Sequence, residues 1–563
     1  MPSPDQLKQE DIYLQNEIIT KIEYNLPNFP QDVIWKMINF KNWSGEIRAD
    51  NIPYCIPRTI DEVISVVNWA WKENYKLRPI GQSHNWSPLI LESGQSFKNH
   101  IILMDLSSHF THVNIEHRAK FSIVTAQPGV LMETLMAQME EQGLGFTATP
   151  APGDLTLGAV LAINGHGTAI KAVDETPLPG HTFGSLSNTI LSLSAVVWDK
   201  ENQQYTIKRF ERNEPDCAPL LTHVGGALIL EVQFQAGQNQ RLRCQSFTDI
   251  PADELFAPPE NAKEKQTLSY FLDKSGRAEI ILFPFTKTPW LKVWSVAPTK
   301  PASSVEVNAP YNYPFSDNIS STLSDIADNI LANFPLITPL VGEMQYQLTH
   351  AALQNYGKDI WGWSKNLLLY VKPTTLRVTA NGYAVLTQRT NIQLVLNKFY
   401  AQWQGLIQHY ANQGKYPING PLEVRVTGLD DPAEVMHTGA TVPSLSAIRP
   451  RLDHLEWDVA VWLDVLTFPE TPYAIEFCHQ FEQWLFNEFD GSYASARVEW
   501  SKGWAYGSHT AWENKEILTK TIPASLTEGL PADNNWTSTV AALQKHDPHH
   551  VFRSPLLDTL FSG

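Results

Sequence analysis

Two glycine-rich loops in the first third of the chain constrain it most. Arg78-Pro-Ile-Gly81-Gln-Ser-His84-Asn-Trp86 follows a short apolar stretch, and Pro150-Ala-Pro-Gly153-Asp154-Leu-Thr156-Leu-Gly158 leads on to Ala162-Ile-Asn164-Gly165-His166-Gly167-Thr168. Glycine lets backbone approach a ligand closely, and the free N–H groups of such turns form a concave anion site. Gly81 therefore suits contact with a pyrophosphate, with Arg78 adding charge or structural support. His84 offers a lone imidazole whose ring nitrogen is placed to bond a ligand carbon. From spacing alone, a surface loop with a backbone-satisfied histidine is the competing reading. No Gly-x-Gly-x-x-Gly stands between a strand and a helix, and no Gly-Lys-Ser/Thr loop is present, so the Rossmann and P-loop fingerprints are both missing.

Taken together, the two patches resemble the vanillyl-alcohol-oxidase family of FAD enzymes. In that family the first loop carries a histidyl linkage to the flavin, and the second wraps the pyrophosphate and the isoalloxazine edge. The resemblance implies a cofactor cradle of Arg78, Pro79, Gly81, Gln82, Ser83, His84, Asn85 and Trp86 from the first loop. The second contributes Pro152, Gly153, Asp154, Thr156, Gly158, Asn164, Gly165, His166 and Gly167, and Gly226 and Ile229 join from downstream. Doubly linked relatives carry a cysteine where this chain has Asp154. FAD bound through His84 alone is the expectation, because Cys55, Cys217, Cys244 and Cys478 all lie outside the patch.

A chain of 563 residues suits two or three domains. Its formal charge of −17 and lack of a basic run argue against a nucleic-acid partner. The 18 Trp and 24 Phe exceed ordinary packing needs, and some of them are candidates to line a ligand cavity. The scattered cysteines make neither a disulfide framework nor a zinc pattern. No apolar run reaches the roughly 18 residues of a membrane helix, and no signal-like start is present, so the chain as given reads as soluble and cytoplasmic. A secreted mature form with its leader removed would look the same.

Thr59 to Glu62 reads as a capping box opening a helix that leads into the His84 loop. Phe121 to Ala126 reads as a strand, and Val130 to Gln142 as a helix with Leu131, Leu135, Met136 and Met139 inward, ended by Gly143. Ser192–Trp198 and Ala227–Phe234 read as strands, and Gly225-Gly226 again permits close backbone approach. Near residue 245 the texture shifts toward Pro251 and Pro258-Pro259, then to strands at Glu279 and Leu291 among helical runs, with a helix from Tyr473 to Phe489. The expected fold is α+β: a two-part FAD-binding domain of the vanillyl-alcohol-oxidase type with an inserted α+β substrate domain. Its divisions are 1–245, 246–495 and a segment 496–563 that returns to the FAD domain.

In Leu422-Glu423-Val424-Arg425-Val426 the two-residue strand period puts Glu423 and Arg425 on one face. On a solvent face this is an ion pair worth about 0–1 kcal/mol. In a cavity it is a candidate base whose protonation follows the arginine. Asp464 shares a face with Trp462, Leu466 and Phe468, so it is either hydrogen-bonded structurally or shifted for proton transfer. Lys502 falls in line with Trp500 and Trp504, where a cation snorkels, stacks, or stabilises negative charge.

These sites, with Phe283-Pro-Phe-Thr-Lys-Thr-Pro-Trp290-Leu-Lys-Val-Trp294, resemble the covalent-FAD (type II) cholesterol oxidases across nearly the whole chain. The resemblance implies that Glu423, Arg425 and Lys502 line the flavin pocket, with a further glutamate at Glu279. It implies oxidation of a 3β-hydroxysterol to the 4-en-3-one, with oxygen reduced to hydrogen peroxide. Transient membrane contact to extract substrate, without stable insertion, goes with that reading. Asp464 departs from the asparagine of that family, exchanging an amide for a carboxylate. A same-fold oxidase or dehydrogenase for a sugar, polyol or aromatic alcohol, and a non-catalytic flavin-binding protein, are the rival readings.

Overall fold

The computed structural model describes residues 25–262, 265–314, 316, 333–373, 375 and 377–562. The helix Ile60–Lys72 starts where the sequence places it. Thr59 accepts the Glu62 N–H, and Val63, Val66, Val67 and Ala70 are buried on one face. The reciprocal half of the capping box goes elsewhere: Glu62 Oε2 accepts the N–H of Arg58 at 2.6 Å, not that of Thr59. The helix feeds the strand Lys76–Ile80, which ends at the His84 loop. The helix Met132–Glu141 buries Met132, Leu135, Met136 and Met139. Leu131, expected inward, is the half-buried residue just before it, and Gly143 follows with φ +72°.

Three sheets result. In the first, the strands run Ile34–Lys41, Arg48–Ile56, Ile101–Asp105, Lys76–Ile80, with the last two parallel. The second runs Val113–His117, Ser122–Ala126, Leu228–Gln238, Ile190–Asp199, Gln204–Glu211, with the short strand Leu144–Gly145 beside Leu228–Gln238. The third has nine strands ordered Val305–Glu306, Asp359–Trp363, Arg241–Phe247, Trp290–Val296, Arg277–Leu282, Leu422–Gly428, Val459–Thr467, Thr379–Thr387, Ala494–Val498.

The expected divisions at 245/246 and 495/496 fall inside the 241–247 and 494–498 strands. Only Asn239 and Gln240 separate the 228–238 strand from the 241–247 strand, so the chain passes between sheets without a linker. The proline-rich texture at 251–259 begins after that passage. Downstream of 498 the chain returns: the Leu77 N–H donates to Val551 O at 2.8 Å, and Lys76 Nζ donates to His550 O at 2.7 Å. One apolar core, running from Leu89 to Phe561, joins the second sheet to the third. Among the described residues no helix is long and apolar enough to cross a membrane, and the four cysteines are buried and unpaired.

Candidate active site

The two glycine-rich loops meet at Gly81. A Cβ there would lie 2.3 Å from Thr156 Oγ1, so only a residue without a side chain lets the loops touch. Ser83 takes the left-handed φ of 53° that swings the next residue inward. Half-buried His84 stacks on Trp43 at 4.6 Å between ring centres, and its solvent-shielded Nε2 has no hydrogen-bond partner. Burial, reinforced by the charge of Lys502, pushes its pKa down to about 4. The loop is tied to the third sheet's far end: the Trp86 N–H donates to Ser501 O at 2.8 Å, and Trp86 Nε1 donates to Val378 O at 2.7 Å.

A cavity of about 520 Å³ runs from this loop to the third sheet. From the first loop it is lined by Arg78, Pro79, Gly81, Gln82, Ser83, His84, Asn85 and Trp86. Pro152, Asn164, Gly165 and His166 line it from the second. Arg78 serves as structural support: its guanidinium donates to the carbonyls of Gly225, Leu89 and Phe552, pinning the returning tail. Asn164, at φ 62°, donates to Asp430 at 3.2 Å and accepts the Ala447 N–H at 3.0 Å.

The remaining residues of the expected cradle stand behind the wall. A Cβ on Gly158 would meet Pro128 at 2.6 Å, and one on Gly167 would meet Thr149 O at 2.6 Å, so these glycines pack backbone against backbone or proline. Gly153 lies against Glu133. Thr156 packs on Gly81, and Asp154 is a mostly buried carboxyl whose pKa burial raises to about 6. Downstream, Val224 and Gly225 line the cavity in place of Gly226 and Ile229, and Ile229 faces the apolar core.

The charged residues come from adjacent strands in register, and directly opposed residues of an antiparallel pair share a face. Lys292 pairs with Glu279, Glu279 with Arg425, and Glu423 with Asp464. Arg425 Nη1 is 3.6 Å from Glu423 Oε2 and 3.7 Å from Glu279 Oε1, while Nη2 bonds Asp464 Oδ2. Lys502 Nζ is 3.5 Å from that same Asp464 oxygen and 4.3 Å from the Trp86 ring centre. Glu279, Glu423, Arg425 and Lys502 line the cavity, so the Glu423–Arg425 face is not a solvent face, whereas Asp464 is wholly buried beneath it. Although burial opposes its charge, Arg425 is held above its ordinary pKa by Asp464 and Glu423. Burial raises Glu423, and it raises Asp464 to about 7.

Lys502 does not follow strand parity. The strand ends at Val498, and residues 499–504 turn. Lys502 reaches the site through that turn and lies over Trp86, not Trp500 or Trp504. The same turn brings in Glu499, which parity would have sent to the opposite face. Glu499 Oε1 is 3.7 Å from His166 Nε2, and His166 stacks on Trp462 at 3.5 Å. Against the effect of burial, Lys502 and His166 hold Glu499 well below the usual carboxylate range. Lys292 had a visible signal, a cation alternating with Trp290 and Trp294. It lies 3.1 Å from the Tyr370 ring centre and 3.7 Å from Glu279 Oε2, which also accepts the Tyr370 hydroxyl at 2.6 Å. Trp43 and Tyr370 carried no local signal.

Residues 241–562 match the family described as "Cholesterol oxidase, substrate-binding", and residues 53–175 match the family described as "FAD binding domain". A solved structure named solvent-stable cholesterol oxidase is 51% identical, covers 96% of this chain and 100% of its own, and superposes with a TM-score of 0.93. Cholesterol oxidase from B. sterolicum is 42% identical, with coverage of 96% and 99% and a TM-score of 0.92. L-gulonolactone oxidase of Mus musculus is 26% identical over 161 residues, which is 28% of this chain and 34% of the mouse protein; the chain thus spans about a third of that curated relative.

Proposed function

The chain belongs to the cholesterol oxidase family defined by this substrate-binding domain, and on that premise we propose that it is an FAD-dependent oxidase of the CH–OH group of a 3β-hydroxysterol, with oxygen as acceptor. One observation carries the reading: a single cavity joins the His84 loop to the Glu423–Arg425–Lys502 row.

The residues present fit a flavin linked through one histidine. His84 is unprotonated at neutral pH, and its Nε2 is shielded from solvent without a hydrogen-bond partner. Gly81, Gly165 and Gly225 present bare backbone to the same cavity. When bound, FAD supplies the two-electron redox chemistry of alcohol oxidation.

Oxidation of a carbinol also requires removal of its hydroxyl proton, and Glu423 Oε2 is the acceptor on the cavity face. Arg425, 3.6 Å away, favours the ionised form of that carboxylate and orients it. Lys502, buried and positioned beside Trp86, supplies positive charge on the His84 side of the cavity. Glu279, hydrogen-bonded by Tyr370, is the second carboxyl on the wall, suited to carry a proton across a 5-ene-3-ketone toward the 4-en-3-one. Oxygen takes up two electrons and two protons and leaves as hydrogen peroxide.

Phe283, Trp290, Leu348 and Leu466 line the substrate side and favour an apolar alcohol over a sugar. The helix Thr338–Asn355 exposes Leu340, Met344 and Leu348 at one-turn spacing, and Leu348 also lines the cavity. This stripe supports transient contact with a lipid surface during substrate extraction. Peroxide release from cholesterol, measured beside small polyols under oxygen, tests the function. Turnover of cholesterol is expected, and peroxide from the polyols alone overturns the sterol reading.

A further inference from the structure

Lys292 is wholly buried among aromatic rings. Its Nζ is 3.1 Å from the ring centre of Tyr370, 4.7 Å from Tyr313, 5.0 Å from Trp290 and 5.1 Å from Trp294. The rings are themselves fixed: Trp290 Nε1 donates to Ser246 Oγ, Trp294 Nε1 donates to Leu367 O, and Trp290 meets Tyr313 edge to face. Electron-rich ring faces attract a cation, so this cage holds a charge at a defined point. Taking an ammonium out of water is costly, and a methionine of similar length would fill the space without that cost. Packing alone does not account for the charge.

Glu279 does. The two residues oppose each other on adjacent strands, which puts both on the same side of the sheet. Glu279, Tyr370 and Trp290 line the cavity, whereas Lys292 stands outside its lining. Lys292 Nζ is 3.7 Å from Glu279 Oε2, the same oxygen that accepts the Tyr370 hydroxyl at 2.6 Å. The other oxygen, Oε1, lies 3.7 Å from Arg425 Nη1. Building on the oxidase reading, we propose that Lys292 is a positioning residue for the isomerisation: with Tyr370 it anchors Glu279 Oε2, so that Oε1 is presented to the substrate as the proton carrier. In that step Oε1 takes a proton from C4 of the 5-en-3-one and returns it to C6 as the double bond moves to C4–C5. The carboxylate is regenerated and nothing is oxidised. Glu423, the base of the oxidation, is held by Arg425, so Lys292 bears on the isomerisation in particular.

Two rates measured on the flavin-loaded enzyme test this, wild type against Lys292→Met. Oxidation is read as peroxide from a saturated 3β-hydroxysterol, which has no double bond to move. Isomerisation is read as conjugated-enone absorbance from added 5-en-3-one, which needs no oxygen. In Lys292→Met isomerisation should fall by about 100-fold, and by at least about tenfold more than oxidation, as expected for a misplaced proton carrier. Equal falls in the two rates would show a merely structural role and overturn the proposal, as would an unchanged isomerisation rate. Lys292→Gln, which keeps an N–H donor but no charge, is read in the same way if the methionine variant fails to fold. Wild-type isomerisation surviving in Glu279→Gln would also overturn the proposal, by removing the carrier that Lys292 positions. Absence of peroxide from every sterol in wild type would instead refute the oxidase reading, and the two failures are told apart because added 5-en-3-one bypasses the oxidation.

Discussion

Replacing Gly81 by alanine tests whether the contact between the two glycine-rich loops builds the site. The added Cβ would lie 2.3 Å from Thr156 Oγ1 and 3.2 Å from Ala159 Cβ, so the loops must part by about an ångström to restore ordinary contact. Thr156 is buried, immediately precedes the helix Leu157–Ala162, and is β-branched, so it has little freedom to rotate away. Overpacking of this kind costs about 1–3 kcal/mol. Thr156→Ala removes the offending oxygen and leaves the 3.2 Å contact, which a shift of a few tenths of an ångström relieves. The double variant should therefore be less impaired than the two single effects combined, with a coupling of about 1–2 kcal/mol. Thermal midpoints read by tryptophan fluorescence, at about 2–4 °C per kcal/mol, together with flavin content after purification, measure it. A Gly81→Ala protein as stable and as yellow as wild type, or effects that simply add, would refute the packing argument.

His84→Ala should leave acid-precipitated protein colourless, with flavin in the supernatant or never bound. Loss of the Trp43 stack should lower stability by about 0.5–1.5 kcal/mol, and an equally yellow pellet would reject the linkage. Glu482, buried and accepting the N–H groups of Ala505 and Tyr506, is raised by burial to about 7. A folded pKa above the unfolded value means the unfolded chain releases its proton first, so stability is full below about pH 4.5 and falls as pH rises to about 7, by up to about 3 kcal/mol. Glu482→Gln should flatten that slope in pH-dependent denaturation, and an unchanged slope relative to wild type contradicts the assignment.

Much of the fold is readable from short stretches. The 60–72 and 132–141 helices, the 190–199 and 228–238 strands and the 474–488 helix follow from apolar period, caps and glycine stops, to within a few residues. The Glu423–Arg425 pairing on one face follows from a two-residue period that the 422–428 strand obeys. The same period does not hold past Val498, where the strand ends with nothing in Glu499-Trp500-Ser501 to announce it. The passage between sheets carries no compositional mark for a related reason: Asn239 and Gln240 alone separate the two strands.

What periodicity determines is the local element and which side chains share its face, because those depend on backbone geometry over a few residues. Which elements become neighbours is a long-range matter, set by sheet register and by the chain's return. Glu279 faces Arg425 because residues 277–282 pair with 422–428. Lys292 joins through one further pairing, and Trp43 and Tyr370 arrive from loops that no repeat marks. The sequence alone thus determined the pieces and the glycine positions that permit close approach. Only the tertiary structure decided that Asp464 and Glu423 lie side by side with one arginine between them, since burial and opposing charge act across space and not along the chain.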